Sequence, residues 1–367
     1  MGVTYAVTSA SDCFSYMYSF LSSCGITYIT DTPNLKVFRD FSNSVYLQMY
    51  LDTNNDRVII FPSVDYNASS SDWFVQTKSP MYGSSYLGMA IPYIEGGSLV
   101  CNYNDSSVLF SIIGTSVARE TFLLGFGVMD KLYSYWEGGF YLLGNREVSI
   151  RDTINYLGNA NDLKLLMRID ADFATANVRG NLYWAGNYVE TRVWTTYEVW
   201  NVGDIVSYNG NIYVCTNAFI GDNTDFTDYY NSGYFTFLCL DTNINSLMAV
   251  QSIVGNGGDY KLPTYANFFM GEDLLWRGST NQLNCIALCM PLYFYIIRDP
   301  QQLKQFSCVG KTDIINYVSM FDMSSGREIQ SSYPVENDSF QCFTIGKRRN
   351  VGDDLKGGYV GVAFRQP

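Results

Sequence analysis

Val45-Tyr46-Leu47-Gln48-Met49-Tyr50-Leu51, then Asp52-Thr53-Asn54-Asn55-Asp56, then Arg57-Val58-Ile59-Ile60-Phe61, reads as a β-hairpin. Val45, Leu47, Met49 and Leu51 alternate with Tyr46, Gln48 and Tyr50, the period of two that sends successive side chains to opposite faces of a strand. The Asp/Asn-rich link has the chemistry of a turn. It opens as a calcium loop does, but Arg57 stands where the sixth position needs glycine and Ser63 where the twelfth needs glutamate, so the hairpin reading is preferred.

Outward from the hairpin, Ser98 to Asn102, Val108 to Ile113, Glu120 to Met129 and Gly139 to Leu143 are further strand candidates separated by Gly and Asn turns. The apolar run Cys285 to Ile297 is 13 residues long and contains Pro291. That is too short to span a bilayer, and it reads as a buried strand pair. Helical spacing is confined to short pieces. Phe14, Met17, Tyr18, Leu21 and Cys24 predict an amphipathic helix over 11–24, with Asp12 near its start and Gly25 just past its end. Ser149-Ile150-Arg151-Asp152 has the form of a capping box opening a helix through Leu157 to Gly158, and Asp162 to Arg168 predicts another helical turn.

Composition agrees with an all-β accent. Aromatic residues make up 16% of the chain, with 30 Tyr and 23 Phe, and these favour pleated, half-buried surfaces. A net charge of -12 with only 23 Lys and Arg offers no general field for a polyphosphate backbone, so nucleic acid is not expected as a partner. Lys347-Arg348-Arg349, flanked by Asp353 and Asp354, reads as a solvated hairpin tip. The start of the chain lacks the basic and apolar regions of a secretory signal, and Ala6 stands where a myristoylation signal prefers Ser or Thr. Cysteines at 13, 24, 101, 215, 239, 285, 289, 308 and 342 are expected as reduced thiols acting as small apolar residues.

The chain has no histidine. Ser-His-Asp and Cys-His catalysis and His-ligated metals are therefore excluded, and with no CxxC pair a structural zinc site is not expected. Carboxylate pairs remain, and Glu120, Glu137, Asp170 and Asp172 are conceivable members of a glycosidase pair. With 35 acids, chance neighbours of aromatic residues are the plainer explanation. Gly255-Asn256-Gly257-Gly258-Asp259 lacks the lysine of a phosphate-binding loop and reads as a turn. Asp222, Asp225 and Asp228 form an acidic loop whose oxygens suit a hard cation, without a defined ligand pattern.

Gly180-Asn181-Leu182-Tyr183 and Gly210-Asn211-Ile212-Tyr213 share a start that suggests repeated hairpins. The most specific stretch surrounds the second: Trp194, Tyr197 and Trp200, then Val202-Gly203-Asp204-Ile205-Val206-Ser207-Tyr208-Asn209-Gly210-Asn211-Ile212-Tyr213. In this reading Gly203-Asp204 makes a turn, Val206 and Tyr208 share one strand face, Asn209-Gly210 closes a tight hairpin and Tyr213 returns.

This stretch resembles the small chitinase-type carbohydrate-binding module, whose core is an aromatic followed by GD-x-V-x-Y-x-G-x-x-Y. The resemblance covers Trp194 to Cys239. It departs from the family at Ala218-Phe219-Ile220, where tryptophan is usual. It implies that exposed rings stack on pyranose faces, with Trp194, Tyr197, Trp200, Tyr208, Tyr213, Tyr229 and Tyr230 as glycan-binding candidates and Tyr234 beside them. The alternative is that the same mini-fold is a structural decoration with Trp194 and Trp200 packed inward.

The C-terminal stretches Gly310 to Ile315, Ser339 to Ile345 and Gly358 to Phe364 resemble the closing strands of β-rich tail and head-to-tail proteins of tailed bacteriophages, which points to a tail, baseplate or neck position. That resemblance implies a virion component assembled in the host cytoplasm. Its partners would be other virion proteins, copies of itself and host-surface glycan, with no cofactor and no membrane insertion. The expected fold is mainly β, sandwich or barrel domains with a few short helices. A β-rich part is expected over 1–192, an inserted three-stranded lobe over 193–242, and a β-rich part over 243–367 that completes the first or stands beside it. A polysaccharide-degrading enzyme and a freestanding lectin-like protein remain open as alternatives.

Overall fold

The computed structural model describes residues 1–70, 73–74, 76, 81–82, 85–115, 120–132, 136–149, 156–157, 163–171, 183–184, 187–188, 191–200, 204–209, 211–215, 217–240, 250–254, 286–287, 289–297, 306–320, 324–331, 338–345 and 360–367. The opening hairpin is present: Tyr46–Asp52 pairs antiparallel with Arg57–Ser63, Leu47 facing Pro62 and Asp52 facing Arg57. Leu47, Met49 and Leu51 lie in the main core. At the tip, Arg57 Nε donates to Asp52 Oδ2 at 2.8 Å, and Asp56 in the left-handed region (φ 48°) turns the chain.

The architecture is mainly β and layered. The hairpin belongs to a sheet that also holds Tyr28–Asp31, Leu35–Arg39, Ser85–Pro92, Glu147–Ser149 and Tyr156–Leu157. A second sheet runs in the order Gly2–Ala6, Ser98–Asn104, Ser107–Ile113, Thr121–Val128, Trp136–Gly144, Leu163–Ala171, Val250–Val254. A third is built around Phe306–Ser319, Val360–Arg365, Ser339–Thr344 and Arg327–Ser331.

The second sheet is the middle layer, because its central strands, Ser98–Asn104, Ser107–Ile113 and Thr121–Val128, are buried along nearly their whole length. Ser107–Ile113 and Thr121–Val128 read as continuous buried runs. Phe126 meets Phe38 of the hairpin sheet at 5.8 Å. On the opposite face, Tyr141 meets Phe294 at 5.2 Å. Asn102 Nδ2 donates to Gln341 Oε1, and Thr121 hydrogen-bonds Ser325 and Thr344, joining the middle layer to the third sheet. Residues from the two ends of the chain thus share one core. Gly127 makes room for the Tyr141 ring: a Cβ there would lie 2.7 Å from the Tyr141 hydroxyl and 2.7 Å from Ser106 O.

The predicted helix is observed over Ala10–Ser23, capped by Ser9 and ended by Gly25 at φ 85°. Gly25 N donates to Ser22 O and Ile26 N to Leu21 O, the paired bonds of a Schellman end. Asp56 of the hairpin tip accepts from Ala10 N, so the turn also serves the helix start. Among the described residues, no helix is long and apolar enough to cross a membrane.

Two helix expectations are corrected. Glu147–Ser149 is a strand paired with Ser85–Pro92, and Tyr156–Leu157 pairs back onto it, so no helix runs through Leu157. Leu163–Ala171 is a nine-residue strand on Trp136–Gly144. Leu163, Leu165, Met167 and Ile169 alternate, and a waiting apolar strand edge overrides local helix propensity. The run ending at Ile297 is also corrected. Ile286–Ala287 pairs in parallel with Arg327–Ser331, while Cys289–Ile297 pairs with Phe306–Ser319, so the two strands are not partners of each other. The Gly-Asn recurrence marks different places. Residues 180–182 lie outside the described residues, and Tyr183 opens the strand Tyr183–Trp184 that pairs with Asn187–Tyr188, whereas Asn211 opens the second strand of its hairpin. Residues 255–259, 346–359, Asp172 and Cys285 lie outside the described residues.

Candidate functional site

The stretch resembling a carbohydrate-binding module forms its own small sheet. Ile205–Tyr208 pairs with Asn211–Cys215, Tyr208 facing Asn211, and Asn209 at φ 49° closes the two-residue turn as Asn-Gly hairpins require. Phe235–Leu240 adds a third, antiparallel strand, and Thr191–Val193 a fourth, parallel one. A ribbon of Val199–Trp200 and Phe219–Ile220 lies beside them. Helix Phe226–Asn231 packs Phe226 inward.

Trp200, Val206, Cys215, Phe226 and Phe235 are the core of this segment, ringed by half-buried Trp194, Tyr208, Tyr213, Phe219, Tyr229 and Tyr234. Trp200 is 0% exposed. Its assignment as a glycan-binding ring is therefore corrected: Trp194 stacks near it at 5.4 Å and the Arg192 guanidinium lies 4.1 Å from its ring, leaving no face for a ligand. Tyr208 stacks on Phe226 at 4.4 Å, Tyr213 tilts against it at 4.7 Å, and Tyr229 stacks on Phe219 at 4.4 Å. Of the candidate rings, Tyr197 (68%) and Tyr230 (40%) are exposed.

Composition does not reveal which rings face out; the ribbon register does. Val199 faces Ile220 and Trp200 faces Phe219, so alternation buries the aromatic pair and turns the aliphatic pair outward. Val199 is 55% and Ile220 73% exposed, and neither was a sequence candidate. Arg192 holds this corner together by pairing with Glu198 and with Asp204 at 3.1 Å.

The acidic loop has structural employment. Asp222 accepts from Thr224 N (2.7 Å) and the Tyr229 hydroxyl (2.9 Å). Asp225 caps the helix by accepting from Thr227 N and also takes the Tyr208 hydroxyl. These hydrogen bonds hold both carboxyls below the usual aspartate range. Asp228 is exposed on the helix. Among the described residues, no group of three or more Cys, Asp or Glu is placed to hold a metal ion.

Of the carboxylate candidates, Glu120 faces Arg146 at 3.9 Å. Strand register sets Glu137 directly opposite Asp170. The described thiols are free, and burial pushes Cys13 and Cys289 up to about 12 and Cys101 and Cys342 well above the usual thiol range. No protein-family model matches the chain, and no curated protein matches it.

Proposed function

We propose that the chain is a structural component of a bacteriophage particle, of the tail, baseplate or neck, and that segment 191–240 is a glycan-binding lobe it presents to the host surface. The observation that carries the reading is this segment. It has an aromatic core of its own, its Gly-Asp, Asn-Gly and Tyr positions resemble those of a carbohydrate-binding module, and it displays apolar side chains outward. The layered β body supports it, since a core buried on both faces of its middle sheet suits a rigid building block. A histidine-free chain offers little conventional acid-base chemistry.

Virion components work as symmetric rings or spikes of identical copies. Sedimentation of the purified protein tests this: a discrete multimer is expected, and a monodisperse monomer at all concentrations contradicts the assembly role. The Glu137 and Asp170 register favours a second reading, a polysaccharide-degrading enzyme. That reading requires reducing sugar to be released from a bound polysaccharide and the release to vanish in Glu137→Gln and Asp170→Asn.

A further inference from the structure

Tyr197 sits in a turn between the two tryptophans at φ 63°, the left-handed region that a bulky residue rarely occupies and that glycine or asparagine adopts readily. Among the described residues it is the one tyrosine in the left-handed region; the other non-glycine positions there are Asn or Asp. Tyr197 is also 68% exposed, so burial within the segment does not account for a tyrosine at this place. Strained positions of this kind concentrate where a protein touches a ligand.

Its surroundings define the ligand. Gly221 N donates to Glu198 O at 2.7 Å, and a Cβ on Gly221 would lie 3.3 Å from Tyr197 N, so the Tyr197 turn abuts the end of the Val199 and Ile220 ribbon. The turn and the ribbon end together carry exposed Tyr197, Val199 and Ile220, with the partly exposed Glu198 and Arg192 pair between and beside them in the chain. So few residues are a small fraction of the roughly 20–30 per side that a stable protein interface engages, which argues against a second copy of the chain as occupant. An apolar platform edged by charged hydrogen-bonding groups fits a pyranose, whose C–H face is apolar and whose rim carries hydroxyls.

Resting on the glycan-binding reading above, we infer that Tyr197, flanked by Val199 and Ile220, is the ring on which the segment stacks a sugar, in place of the buried Trp200. The stacking ring has been placed at a backbone position suited to asparagine. Removing it therefore relieves strain while it removes binding, the opposite of what loss of a structural ring does.

The test uses the full chain on an immobilised array of N-acetylglucosamine oligomers and bacterial surface polysaccharides, with the melting temperature measured alongside. Tyr197→Asn is expected to weaken binding by about tenfold or more with an unchanged or higher melting temperature. Tyr197→Phe keeps the ring and should keep the larger part of the binding. Tyr293→Asn, which removes a 42% exposed tyrosine of the third sheet, is the control for nonspecific loss of surface rings. Wild-type binding with Tyr197→Asn binding equally well overturns the inference and leaves the glycan-binding reading standing. Failure of the wild-type protein to bind anything on the array overturns both.

Discussion

The middle sheet and the aromatic segment 191–240 both hold fully buried rings, yet they are built from different materials. The middle sheet has central strands whose aliphatic and phenylalanine side chains are buried against the other layers, so its order depends on contacts hundreds of residues apart, such as Asn102 to Gln341. The segment takes its core from residues within 191–240, with Trp194, Trp200, Phe219, Phe226 and Phe235 packed ring against ring. A core assembled from distant strands makes a rigid body. A core assembled locally makes a unit whose surface can change without disturbing that body.

Phe110→Ala empties a site that is 0% exposed, where Phe20 of the helix and the middle sheet meet, and should destabilise the body by roughly 3–5 kcal/mol in denaturant unfolding. Trp200→Ala removes the central ring of the segment, with a local loss of the same order, roughly 3–5 kcal/mol. Circular dichroism should show the body intact in that variant. Simultaneous collapse of both regions would break the distinction. Gly127→Ala forces a methyl group into the Tyr141 hydroxyl and should cost about 1–3 kcal/mol, felt in the body alone.

Asn145→Ala should cost a similar or smaller amount, about 1–3 kcal/mol, because Leu123 N and Thr121 O lose their buried partner. The smallest effect belongs to acid. Asp222 and Asp225 have carboxyls held low, so their contribution is present above the ordinary aspartate range and is lost as pH falls through the lowered values. The segment's tryptophan fluorescence should stay constant from neutral pH down to about pH 4 and change only below that.

Much of this was legible in the sequence because it is local. Alternation from Val45 to Leu51 with an Asp/Asn turn gave the hairpin, and the spacing from Phe14 to Leu21 with Gly25 gave the helix and its end. Asn209-Gly210 gave the register of the segment's hairpin. What failed depended on partners elsewhere. Leu163 to Arg168 becomes a strand because Phe140 to Gly144 offers an edge, and Cys289 to Ile297 finds its partner in Phe306 to Ser319. At the candidate site, the sequence supplied the aromatic residues but not their orientation. Trp200 goes inward and Ile220 outward through one cross-strand register that no local pattern encodes.

Whether this protein recognises a bacterial surface is decided by cosedimentation of the intact protein with purified bacterial sacculi carrying their surface polysaccharide. The protein should pellet with them and be released by soluble oligosaccharide of the same surface. Protein that stays in the supernatant over sacculi from a broad panel of bacteria would contradict that recognition.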